Sequence, residues 1–187
     1  MNKIRNSLFL LLTILSLTVC KAQKAETIGE RFFRYMNNYQ RDSLDALLSE
    51  DFELSRSFSP VKHSREMFLN EYMRYSKELE GKFHVVETVS AAEPQVYLAR
   101  DESAYYKYLG IAPPVWRIQI TTRDNKVASM QVDTTAGYSK HIKVMEEKDK
   151  LFDSWQQKNY PAETGIMMKT PGLTLKRLKE FAAKRKN

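Results

Sequence analysis

The side chains able to do chemistry are few and scattered. Asp133 stands late in a strand-like run, where a carboxylate can reach the end of a sheet and act as a general base. It alternates with Val132 and shares its side with Gln131 and, across a hairpin, Arg117, so a position facing solvent or a second subunit competes with that role. His84 is the one histidine in a strand-like stretch and titrates near neutrality. His63 falls in a loop and His141 near a helix start, neither with a partner at a telling spacing. Three dispersed histidines offer no i, i+3 or i, i+4 ligand pair, so the expectation is no metal. Asp42, Asp45, Glu50 and Asp51 cluster in sequence, but at positions suited to a cap, a helix surface and a turn. No G-x-S-x-G turn presents a nucleophile, and six glycines in all form no phosphate-cradling loop, so no cofactor is expected. Aromatic residues are the richer feature: ten tyrosines, nine phenylalanines and two tryptophans, with Phe32, Tyr35, Tyr72, Tyr105 and Trp116 on or near inward-facing stripes.

Composition narrows the classes further. Lys3 and Arg5 precede an apolar run, Leu8–Val19, and Cys20-Lys21-Ala22 supplies small residues at a signal-peptidase site before Gln23. Residues 1–22 therefore read as a signal peptide and the product as exported, periplasmic or extracellular in a bacterium, without stable membrane insertion. The alternative is a lipoprotein anchored through Cys20, against which stands Val19 in a slot that favours Gly, Ala or Ser. Cys20 is the only cysteine, so the chain beyond it has no thiolate nucleophile and no disulfide. The formal charge of +7 resides in the leader and in Lys176–Asn187, which carries six basic residues against Glu180. A basic helix end without a reading module gives no case for nucleic acid.

The elements that must position these residues follow from period. Ala25–Gln40 carries Ile28, Phe32, Met36 and Tyr39 at helical spacing; Asp42 or Ser43 caps a short second helix; Asp51–Arg56 is a brief strand. Ser59-Pro60 marks a break, and Ser64 caps a third helix striped by Phe68, Tyr72, Tyr75 and Leu79 up to Gly81. From Lys82 the period is two, with a corner at Glu93-Pro94. Asp101–Gly110 fits either a strand continuation or a short helix begun by Asp101. Val115–Thr122 and Lys126–Thr135 form a hairpin. A three-residue loop Arg123-Asp124-Asn125 sets Trp116 opposite Val132, Ile118 opposite Met130 and Ile120 opposite Ala128. After Thr135 a long helix and a last short one return.

Helices first and antiparallel strands after make an α+β fold, a curved antiparallel sheet covered by N-terminal helices. The stretch RYMNNYQRDSLDALLSEDFEL (Arg34–Leu54), the SREMF helix start, the YYKYLGI stretch and the RDNKVASMQVD hairpin resemble the nuclear transport factor 2-like superfamily, in its SnoaL-like bacterial branch. The resemblance covers about Ala25–Thr135. It implies a cone-shaped domain over residues 23–136, after the signal peptide read over 1–22, and leaves residues 137–187 as a helical C-terminal extension outside the family pattern. It also implies a pocket in the cone and a homodimer through the outer sheet face. No catalytic motif of that superfamily maps residue by residue onto this chain. Phe32, Tyr35, Tyr72, Tyr105 and Trp116 would then line a pocket for a small apolar or amphipathic ligand. A cyclase-, isomerase- or dehydratase-type enzyme using Asp133 or His84, and an interaction module with a filled cone, remain as the other two readings.

Overall fold

A computed structural model describes residues 25–163 and 170–185. The expected leader, with its expected cleavage site and Cys20, lies outside the described residues.

Helix α1 (Ile28–Asn37) starts where the chain offers a capping box. Glu30 N donates to Thr27 Oγ1 at 3.1 Å, and Thr27 N donates to the Glu30 carboxylate at 2.7 Å. Both satisfy amides that a helix start leaves bare. Its buried face is Gly29, Phe32, Phe33 and Met36. Helix α2 (Arg41–Leu47) begins after Gln40 without a side-chain cap, so neither Asp42 nor Ser43 serves as one. Helix α3 is a continuous rod of Arg65–Met67, a π-helical turn Phe68–Tyr72 and Met73–Glu78, capped by Ser64 as its sequence suggests.

Six strands form one sheet in the order β2-β1-β6-β5-β4-β3. They are β1 (Leu48–Arg56), β2 (Ser59–Ser64), β3 (Lys82–Ser90), β4 (Gln95–Glu102), β5 (Val115–Arg123) and β6 (Lys126–Asp133). Four neighbouring pairs are antiparallel, but β1 and β6 run parallel, so the sheet is mixed. The return of the last strand beside the first makes this pair, and no local pattern announces it. Strand β2 replaces the expected break after Ser59-Pro60; it is an exposed edge strand, where proline costs no inner ladder bond.

The β5–β6 register also departs from expectation. Asp124 and Asn125 alone make the turn, both with positive φ (52° and 60°). Ile118 therefore faces Val132 and Ile120 faces Met130. A two-residue turn would put apolar residues across from polar ones all along, were it not for a bulge: Thr121 pairs Ser129 but Thr122 pairs Val127, leaving Ala128 as the extra residue. The bulge lets Val127, Met130 and Val132 all point inward, which the expected three-residue loop does not.

The main core fills the space between the concave sheet face and α1–α3. Phe32, Phe52 and Phe68 meet at its centre, with ring centroids 5.1–6.3 Å apart. Helix α4 (Ala104–Leu109) is capped by Ser103, not Asp101, and ends at Gly110 in the left-handed conformation (φ 70°). Helices α5 (Tyr138–Asn159) and α6 (Pro171–Lys184) pack on α4 in a second core of Leu109, Ile111, Phe152, Leu178 and Phe181. The C-terminal helices thus lie against the end of the cone at which α4 leaves the sheet.

Candidate functional site

Strand β4 places Tyr97, Ala99 and Asp101 on one face by simple alternation. Tyr97 and Ala99 are fully buried; Asp101, one step further, reaches the cone's open end with only a minor part of its surface accessible. Trp116 on β5 donates its indole N–H to Asp101 Oδ2 at 3.3 Å. The Tyr106 hydroxyl, carried by α4, lies close enough to act on the same carboxyl. Tyr72 of α3 lies close enough for the Asp101 charge to act on its phenol, and the Arg56 guanidinium stands 5.5 Å from its ring.

Burial dominates the electrostatics of this cluster. It pushes the Asp101 carboxyl up to about 6, against the opposing help of the Trp116 hydrogen bond, the Arg56 charge and the nearby Tyr106 hydroxyl. The phenols of Tyr72 and Tyr106 are pushed up as well, mainly by burial and further by the nearby Asp101 charge. His63, 3.5 Å from Arg56, is moved down by burial and then by that cation. A carboxyl near neutrality flanked by two neutral phenols can hold or release one proton close to pH 6, which is the property asked of an acid/base group.

Next to the cluster, a cleft of about 440 Å³ opens between the Ile111–Trp116 segment and the start of α5. Trp116 belongs to both: it contributes to the cleft wall and donates to Asp101. Phe58 stacks on Trp116 at 4.9 Å and Tyr138 leans on both. His141 meets the rings of Tyr106 and Trp116 edge-on, and burial lowers its basicity, with the nearby Ala112 backbone acting in the opposite direction. A second hollow, about 550 Å³, lies beside Lys107, Tyr108, Lys179 and Arg185.

The residues singled out from sequence are dispersed by the fold. Asp133 is on the outer face of β6, 3.8 Å from Arg117 and accepting a 3.1 Å bond from Gln131 Nε2, so it does not aim into the cone. His84 is half-exposed on β3, 3.3 Å from Glu102, and stands apart from the Asp101 cluster. Phe32 is fully buried and packed on three other phenylalanines, which makes it core. Tyr35 sits at the margin of that core beneath Arg34. Tyr105 donates to Asp149 of α5 and belongs to the second core. Tyr72 and Trp116 do come together, around Asp101. Sequence reasoning passed over Asp101 itself, although the Tyr97–Ala99–Asp101 alternation carried the signal. Among the described residues no group of three or more His, Cys, Asp or Glu is arranged to hold a metal. No helix among them is long and apolar enough to cross a membrane.

No protein-family model and no curated protein matches the chain. Solved structures do. An NTF2-like protein of unknown function from Cytophaga hutchinsonii is 11% identical, with a TM-score of 0.44, over 59% of this chain and 91% of that one. An NTF2-like protein from Burkholderia xenovorans is 21% identical, with a TM-score of 0.45, over 56% and 84%. A candidate polyketide cyclase from Sinorhizobium meliloti is 12% identical, with a TM-score of 0.47, over 56% and 92%. In architecture the chain is similar to NTF2-like proteins. At such identities and scores the likeness passes no activity to this chain, and function must be argued from its own side chains.

Proposed function

We propose that this is an exported small-molecule-binding protein whose ligand, apolar or amphipathic, lies in the cleft beside Trp116. The observation that carries the reading is the cleft itself: about 440 Å³, walled by Ile111, Pro113, Pro114, Trp116, Tyr138 and Val144. That volume is in the range of small-molecule sites, and the mix of apolar wall with a few polar groups is their usual composition. The proposal moves the site outward from the cone's centre, where Phe32, Phe52 and Phe68 already occupy the space. Native mass spectrometry of the protein from its own host tests it. A co-purified small molecule that is lost in Ala112→Trp supports the reading. A ligand-free protein whose Trp116 fluorescence ignores a panel of flat apolar probes overturns it.

A second reading, acid/base catalysis, rests on one observation of its own. Asp101, with its carboxyl pushed up to about 6 and bonded by Trp116, is suited to the base role for which Asp133 and His84 were the sequence's candidates. Turnover of a ketone or enol probe that follows an apparent pKa near 6 and disappears in Asp101→Asn distinguishes an enzyme from a binder.

A further inference from the structure

The walls of the Trp116 cleft carry charge of one sign. Ile111, Pro113, Pro114, Val115, Trp116 and Val144 are apolar, and no Asp or Glu contributes to the lining. Lys140 is the single full charge there. It is exposed and takes part in no ion pair among the described residues, although acidic side chains are plentiful elsewhere on the surface. The imidazole of His141, half-buried in the same wall and held toward its neutral form by that burial, leaves the cation of this site to Lys140.

From this we infer that the cleft takes an amphipathic anion: a flat apolar body against Trp116 and the two prolines, ending in a carboxylate that Lys140 meets at the rim. The inference rests on the binding role proposed above and names its ligand class. A neutral apolar ligand would use the wall and leave Lys140 idle. A cation would meet like charge, and no carboxylate of the lining would offset it. The other hollow does not make the same case. Its Arg185 donates to the Leu109 carbonyl at 3.2 Å and its Lys107 sits in the last turn of α4, so these cations serve a helix C-terminus.

The test uses two probes of nearly equal shape, 1-naphthaleneacetate and its neutral amide, titrated into the full chain at low salt. The acetate is expected to bind about three- to fivefold more tightly, the size of one exposed ion pair. That preference should fade at high ionic strength and vanish in Lys140→Gln, an exposed position whose replacement leaves the core intact. Ala112→Trp, which obstructs the cleft, should weaken both probes. Equal binding of the two probes, or a preference that survives Lys140→Gln, overturns the anion inference and leaves the binding reading standing. Failure of both probes to bind, or binding indifferent to Ala112→Trp, removes the site and the inference together.

Discussion

Trp116 and Asp101 are joined side chain to side chain, indole N–H to Oδ2 at 3.3 Å, across two neighbouring strands at the open end of the cone. The bond ties a cleft-wall residue to the one mostly buried carboxyl among the described residues whose acidity is strongly shifted. Anything that moves the indole must also alter the environment of that proton.

The first consequence concerns pH. Asp101 titrates at about 6 in the folded protein and near 3.8 when unfolded, so the native state binds the extra proton. Its contribution is complete below about pH 4 and is lost as pH rises through 6. Above pH 7 the ionised carboxylate therefore costs stability, at most about 3 kcal/mol at the usual 1.4 kcal/mol per unit and about 1–2 kcal/mol once its partial access to solvent is allowed for. Asp101→Asn is expected to stabilise the protein by about 1–2 kcal/mol at pH 8 and to lose that gain by pH 4. Denaturant melts across this range decide it; a gain independent of pH would mean the carboxyl is not shifted.

Trp116→Ala should destabilise by roughly 3–5 kcal/mol, the range for truncating a large aromatic in a core. Trp116 is 7% exposed, stacked on Phe58 and in contact with Tyr138, and its loss leaves Asp101 without one donor. A loss below about 1 kcal/mol in urea melts would place the ring on an open surface.

Gly29 gives a sharper packing test. Its N–H donates to Gln95 Oε1 at 2.9 Å, and the Tyr97 hydroxyl donates to the same oxygen at 2.8 Å. A Cβ at position 29 would lie 2.6 Å from that oxygen and 2.7 Å from the Tyr97 ring. Gly29→Ala gains about 1 kcal/mol of helix propensity but must push α1 off β4, an overpacking cost of about 1–3 kcal/mol. A net loss is expected in thermal melts, and it should shrink in the Tyr97→Ala background. A net gain would mean α1 is free to shift.

Much of this architecture was legible in the letters, and the failures have physical causes. Ser64 and the striped Phe68, Tyr72 and Leu79 announce α3 because cap and period are local properties. The apolar faces of β5 and β6 were legible too, but their register was not. An alternation argument assumes an unbroken ladder, and the Ala128 bulge breaks it. Strand β2 escaped notice because an edge exposed on both sides has no alternation to show. Asp101 escaped because its importance is tertiary: Tyr72, Tyr106 and Trp116 reach it from three separate elements.

Export carries its own expectation. The basic, apolar and small-residue blocks of residues 1–22 place cleavage before Gln23. Intact mass of the protein from its native host should correspond to a chain starting there. Retention of residues 1–22, or diacylglycerol on Cys20, would overturn soluble export.

The outer face of the β5–β6 hairpin presents Arg117, Gln119, Ser129, Gln131 and Asp133, all exposed or half-exposed, with Arg117 directly opposite Asp133 in register. The pair is loose at 3.8 Å, and Gln131 donates to the same carboxylate. An exposed pair of this kind contributes under about 1 kcal/mol within one chain, so its loss leaves the fold standing. Placed on a twofold axis each group acts twice, and two copies could exchange partners across the sheet faces. The expected state is a homodimer through this face, and Arg117→Glu, which sets like charge against Asp133 on both copies, should dissociate it while each monomer stays folded and still melts cooperatively. Sedimentation equilibrium reads the result directly. A wild-type monomer at tens of micromolar (about the range in which modest interfaces register) would remove the dimer and leave the Arg117–Asp133 pair as a solvated contact.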